Sequence, residues 1–340
     1  MESELVLPYG PAPAASFIIH ELVMFALFGL CLVHAVRRGA VHVSYLLGGV
    51  LFGLLLEYVN VNAGLNYSYG QFWLMLGPTP EPGAIPQNIP VNIGIGWGII
   101  IYTARLFSDN LGLPLWSRPA LDALLALNVD LSMDAVAYRL NMWHWGWEFL
   151  PSQPDPLASE WFGVPYANFY GWLSVIFFYS AFARFLLGWQ AKKGRLQWLR
   201  LSVSTVAAII LAQGTLFLCI RLLPRWVSSV RQALVPFFVH PYVILIVTTL
   251  VVFVCLVAIG LRRRQTPKRI DDHPVIWLVP TYFHVYFIAW LFLAGFYRET
   301  FWLAAVSLLN AAVGIVVHQW GRYIRKKPEM RMMPETAIES

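Results

Sequence analysis

Glu21, Glu57, Asp130 and Asp134 lie within stretches otherwise apolar enough to cross a membrane. A charged carboxylate at the centre of a membrane helix costs about 2.5–3.5 kcal/mol on insertion scales, so each is by default a functional candidate. Asp130 and Asp134 are four residues apart and share one helix face. A rise of about 1.5 Å per residue puts both at or beyond mid-membrane, with Glu57 at a similar level on another segment. Asp122 falls nearer the opposite end, where water reaches it more easily. Neighbouring carboxyls enclosed by hydrocarbon favour one shared proton, which supplies an acid and a base together.

The segments downstream of Glu57 and Asp134 share one pattern. After Glu57 come Tyr67-Ser68-Tyr69-Gly70, Pro90 and Gly96-Trp97. After Asp134 come Trp143-His144-Trp145-Gly146, Pro165 and Gly171-Trp172. The steps Glu57→Tyr69→Pro90→Trp97 are 12, 21 and 7 residues, and Asp134→Trp145→Pro165→Trp172 are 11, 20 and 7. Aromatics at loop ends belong to any interfacial belt, and proline often opens a helix. A belt does not require a carboxylate at each matched position. Two units of the same topology predict a pseudo-two-fold axis along the membrane normal, with the two acids facing one chamber.

The elements that carry these residues can be read from composition. Of 340 residues, 58% are apolar and 12% charged, with a mean hydropathy of +0.60. That is about half the charge of a soluble domain and far too many aromatics for a disordered chain. The expected fold class is all-α, a polytopic integral membrane helical bundle formed by residues 1–340 as one unit. Runs of roughly 20 apolar residues fall at 15–36, 41–59, 90–107, 119–138, 166–187, 199–222, 240–261, 275–295 and 300–318, which gives nine spans. The span at 119–138 is the least apolar because it holds Asp122, Asp130 and Asp134.

Nineteen of the 24 basic residues fall in the connections after odd-numbered spans, at the span ends that flank them, or in the tail at 320–340. By the positive-inside rule that side is cytoplasmic and the N-terminus is outside. The net charge of +6 therefore reports topology and lipid contact, not nucleic-acid binding. Residues 1–36 lack a basic leader and a small-residue cleavage site, and they read as a retained span. Cys31, Cys219 and Cys255 all fall inside spans, without ligand or disulfide spacing.

Eight histidines are present, at 20, 34, 42, 144, 240, 273, 284 and 318, and no two are three or four residues apart. Iron-dependent membrane desaturases and hydroxylases need that spacing, so no metal site is expected. Phosphate-binding glycine loops, dinucleotide fingerprints and nucleophile elbows are missing as well. The chemistry expected is cofactor-free.

The stretch Trp161-Phe162-Gly163-Val164-Pro165-Tyr166-Ala167-Asn168-Phe169-Tyr170-Gly171-Trp172 resembles the Phe-Gly-(Ile/Val)-Pro-x-x-Asn-Phe-x-Gly-Trp signature of CruF-type carotenoid biosynthesis proteins, relatives of bisanhydrobacterioruberin hydratase. Asp130-Leu131-Ser132-Met133-Asp134-Ala135 and Trp143-His144-Trp145 are similar to that family's Asp-Leu-x-x-Asp-Pro and Trp-x-Trp. Glu57, Tyr67, Tyr69 and Pro90 look like its earlier glutamate block. The resemblance covers residues 45–185; the further spans at 199–318 carry no recognised motif. Ala135 stands where the family has proline, and Asn62-Ala63-Gly64-Leu65-Asn66 departs from its Thr-Gly-x-x-Phe-Gly stretch.

The resemblance implies a carotenoid hydratase, a cofactor-independent hydro-lyase that adds water to a terminal double bond of an acyclic carotenoid. Such a reaction needs a proton donor, a stabilised tertiary cation and a positioned water. Either Asp134 or Asp130 would donate, and Glu57 would orient the water. Tyr67, Tyr69, Trp143, Trp145 and Trp172 would face the cation, a contact that contributes about 0.5–2 kcal/mol. Asn168 would bond an acid or the water, or cap a helix. The expected partners are a carotenoid or other polyisoprenoid substrate, membrane lipids and other carotenoid-pathway enzymes, in the plasma membrane of a prokaryote. Two other classes fit the same residues: a proton-coupled transporter, and a non-catalytic subunit of a pigment-synthesis complex.

Overall fold

A computed structural model describes residues 13–62, 67–81, 84–146, 160–189, 194–234, 240–266 and 270–332. Among them are nine α-helices: α1 Ala14–Arg38, α2 Ala40–Asn62, α3 Val91–Asn110, α4 Arg118–Arg139, α5 Tyr166–Trp189, α6 Gln197–Leu234, α7 Pro241–Arg262, α8 Val275–Leu293 and α9 Phe301–Met332. Eight are long and apolar enough to cross a membrane, and the chain is an all-α, multi-pass membrane protein.

The exception is α4, which its aspartates make too polar to qualify. It is nonetheless buried along most of its length, because α3, α5, α7, α8 and α9 all pack against it. A helix shielded from lipid on every side can carry acids that a lipid-facing helix cannot. The large apolar side chains of α6, α7 and α9, such as Ile210, Val251 and Ile315, face outward instead.

Local sequence fixes several helix ends. Gly39, at φ 106°, lets α1 stop on bonds to the Ala35 and Val36 carbonyls and α2 start at once. Pro90 precedes α3 and Pro165 precedes α5. Between α2 and α3, and again after α4, the chain forms short strands: β1 Ser68–Tyr69, β2 Met75–Leu76, β3 Ile89–Pro90 and β4 Trp143–His144. β2 pairs with β3 inside one connection. β1 pairs with β4 across the two connections, antiparallel, with Ser68 opposite His144 and Tyr69 opposite Trp143.

That register tests the repeat. Ser68 and His144 are the middle residues of the two aromatic-x-aromatic motifs, and a two-fold axis brings equivalent residues face to face. They pair directly. Trp97 and Trp172, the other matched aromatics, also meet, with ring centroids 4.2 Å apart. The units α2–α3 and α4–α5 are thus joined at two points through equivalent residues.

Two expectations change. Asp122 is not solvated but fully buried. It accepts bonds from Ser108 and Ser180 at 2.5 Å and from Arg184 Nη2 at 2.8 Å. Glu21 is structural: it accepts the backbone amides of Trp73 and Leu74 at 2.7 and 3.1 Å and holds the β1–β3 connection. The tail set at 320–340 begins as helix, since α9 runs on to Met332. Loss of apolar residues marks where lipid ends, while Arg, Lys and Met remain good helix formers. Residues 333–340, and the altered motif at 63–66, lie outside the described residues.

Candidate active site

The sheet end of the bundle encloses a cavity of about 420 Å³, within the usual range of small-molecule sites. Its lining repeats the internal symmetry position by position. From α2 and α4 come Leu56 with Met133 and Glu57 with Asp134. From α3 and α5 come Asn92 with Ala167, Ile93 with Asn168, Gly96 with Gly171, Trp97 with Trp172 and Ile100 with Val175. Tyr67, Tyr69, Trp143 and Trp145 close the sheet end. The two acids do face one chamber.

Each acid is held by neutral donors. Trp97 Nε1 donates to Glu57 Oε1 at 2.8 Å and Asn60 Nδ2 to Oε2 at 3.4 Å. The Tyr67 hydroxyl donates to that of Tyr69 at 3.1 Å, and Tyr69 contacts Glu57 in turn. Burial, and next the Glu57 carboxyl, push both tyrosine hydroxyls well above their ordinary range, so they remain proton donors. Across the cavity, Asn168 Nδ2 donates to Asp134 Oδ2 at 2.6 Å and to Asp130 Oδ2 at 3.3 Å. The Asn168 side chain is therefore committed to the acids rather than to a helix cap.

Asp130 differs from the other sequence candidates. It is buried behind Asp134 and does not line the cavity. The remaining eight candidates, Glu57, Asp134, Tyr67, Tyr69, Trp143, Trp145, Asn168 and Trp172, all line it.

The loop before α5 shows how the second unit is aimed. Trp161 and Val164 exchange backbone bonds at 3.1 and 2.9 Å around a tight turn. Its central residues, Phe162 and Gly163, take φ 51° and 90°. A left-handed phenylalanine costs about 1–2 kcal/mol. The fully buried Arg139 offsets this by donating to the Phe162 carbonyl at 2.7 Å while pairing with both oxygens of Glu299 at 2.8 and 3.1 Å. Trp161 Nε1 donates to the Leu131 carbonyl at 2.9 Å. That carbonyl is the one a proline at 135 would leave without its helical donor.

A model of the carotenoid biosynthesis protein family matches residues 15–236, which span α1 to α6. The chain belongs to this family. Comparison with curated proteins and with solved structures finds no match. The match reaches further than the 45–185 read from motifs, and it takes in the parts of this carotenoid biosynthesis protein that the motifs missed. These are His20 and Met24 of α1 and Gln213, Phe217 and Arg221 of α6, all on the cavity wall. His20 is boxed by Phe72, Tyr282, Tyr286 and Phe287 and bonds the Tyr282 hydroxyl at 3.0 Å. No spacing in the sequence links α1 or α6 to the repeat, so tertiary packing alone reveals them.

The wall has a lipid side. Val59 of α2 and Phe217 of α6 line the cavity and are also 45% and 59% exposed on the outside of the bundle. Arg221 lies beside them with its guanidinium 5.6 Å from the Phe217 ring.

Proposed function

We propose that this carotenoid biosynthesis protein is a hydratase that adds water to a terminal double bond of an acyclic carotenoid. One observation carries the reading: two carboxyls, from matched positions of two repeat units, line one cavity with a largely aromatic and aliphatic wall. The Val59–Phe217 side would admit a lipophilic end group from the bilayer while the rest of the polyene stays among lipid. The Asp130–Asp134 pair would protonate the terminal carbon-carbon double bond. Tyr67, Tyr69, Trp143, Trp145 and Trp172 would face the resulting tertiary cation. Glu57, opposite, would accept a proton from the attacking water. A prokaryotic plasma membrane, with other pathway enzymes nearby, fits such a substrate.

A proton-coupled carrier would need its acids to continue toward the other end of the bundle. The acid at that end of α4, Asp122, is locked to Arg184 and two serines.

The test is expression in a host that makes an acyclic carotene, with mass spectrometry of the extracted pigment. The expected product is heavier by one water. Asp134→Asn and Glu57→Gln abolish it while the protein remains in the membrane, since general acid–base catalysis contributes about 10²–10⁴-fold. A wild-type chain that leaves the pigment unchanged, or two fully active variants, overturns the reading.

A further inference from the structure

Three asparagines line the cavity, Asn60 and Asn92 from the first unit and Asn168 from the second, and they are used differently. Asn60 donates to Glu57. Asn168 is committed to Asp130 and Asp134. Asn92 is fully buried, and neither its Oδ1 nor its Nδ2 has a hydrogen-bond partner among the described residues. It sits on the cavity-facing row of α3, four residues before Gly96 and eight before Ile100. The matched position on α5 is Ala167, so this amide breaks the internal symmetry. A buried carboxamide left without partners costs about 1–3 kcal/mol per group. Such a group in a polar, roomy site is a water-binding feature.

We propose that Asn92 is the binding site for the water that adds to the cation, an inference that rests on the hydratase reading above. Its Oδ1 accepts one water hydrogen while the Glu57 carboxylate accepts the other, which leaves an oxygen lone pair free for carbon. The steps balance. A carboxylic acid of the Asp130–Asp134 pair gives its proton to the alkene, and the π bond becomes a C–H bond and a tertiary cation. The water oxygen then forms the C–O bond, and its surplus proton passes to Glu57. Return of that proton to the aspartate pair resets the site, and the sum is one added water. The acid half of the site thus belongs to α4–α5 and the water half to α2–α3.

The test uses membranes that carry the full chain, incubated in deuterated water with unlabelled acyclic carotene. Two readouts are taken by mass spectrometry: hydrated product, and deuterium in the recovered, unhydrated carotene. In Asn92→Leu, product falls about tenfold or more, while deuterium in the recovered carotene persists or rises, because a cation that is not captured loses a proton instead. Asn92→Ser, which keeps a hydrogen-bonding oxygen, falls between Leu and wild type and serves if the Leu variant does not accumulate. Asp134→Asn loses both readouts. Full hydration by Asn92→Leu and Asn92→Ser overturns the assignment, as does joint loss of hydration and exchange in both. A wild-type chain that neither hydrates nor exchanges overturns the hydratase reading itself.

Discussion

Helix α4 carries acids in two regions twelve residues apart, about 18 Å along the axis, and the two regions treat a carboxylate in opposite ways. Asp122 meets Arg184 and two serine hydroxyls. Arg184 also binds Asp109, which Arg118 reaches at 2.8 Å and Arg105 at 3.4 Å. Arg105 in turn lies over the Tyr45 ring, 4.2 Å from its centroid. This network stitches the ends of α2, α3, α4 and α5 together, with three guanidinium groups around two carboxylates. Among the described residues, Asp134 and Asp130 share the neutral amide of Asn168 and bond each other, and Glu57 meets indole, amide and phenol groups, with no guanidinium or ammonium bonded at either site. An acid neutralised by a guanidinium is fixed in one state. An acid solvated by neutral donors is free to give and take a proton, which is what the proposed reaction asks of it.

The largest effect should come from the structural region. Arg184→Gln leaves the buried Asp122 without its cation and takes one of three from the part-exposed Asp109, a change worth about 3–5 kcal/mol. The thermal midpoint of the detergent-purified protein should fall by many degrees, while turnover per folded molecule stays within a few-fold. Asp134→Asn should do the reverse and lose turnover at a nearly unchanged midpoint. Equal thermal midpoints for Arg184→Gln and wild type would break the comparison.

Next in size is Asn168→Leu, which removes the one donor shared by Asp130 and Asp134. Hydrogen bonds to charged groups contribute about 1.5–3 kcal/mol, so product formation in the pigment assay should drop about 10- to 100-fold. Asp130→Asn tests the same contact from behind, since Asp130 touches Asn168 but not the cavity. Its effect should be smaller than that of Asp134→Asn, and parity would show that both aspartates meet substrate.

Much of this was legible in the sequence because the signals are local. Eight of the nine helices announce themselves as apolar runs, and the acid–aromatic–Pro–Gly-Trp repeat located both faces of the cavity. The ordering of the two aspartates was not legible. Spacing puts Asp130 and Asp134 on one face, but which of them reaches the chamber depends on how α5 lies across α4. The fate of Asp122 was hidden for a similar reason. Its partners Ser108, Ser180 and Arg184 come from α3 and α5, and no one-dimensional pattern marks a basic residue as an ion-pair partner rather than a topological charge. The unpaired amide of Asn92 is likewise visible only once its surroundings are known.

The unequal donors of the two carboxyls can be traced to one missing side chain. Gly53 is matched in the repeat by Asp130, each four residues before its unit's cavity acid. A Cβ at 53 would fall 2.5 Å from Trp97 Cβ, so only glycine lets Trp97 lie against α2 and reach Glu57. Gly53→Ala must displace that ring at a cost of about 1–3 kcal/mol, and product formation should fall about tenfold. If Trp97 positions Glu57 through its N–H, Trp97→Phe keeps the ring against Trp172 and loses only the bond. Tyr69 and Asn60 still hold the carboxyl, so the expected loss is modest, about fivefold, near the 1 kcal/mol of one ordinary hydrogen bond. Trp172→Phe is the matched control, because the second unit holds its acids through Asn168 instead, and it should change the rate less than twofold. Equal losses at the two tryptophans would mean that ring stacking, and not the indole bond to Glu57, is what the first unit contributes.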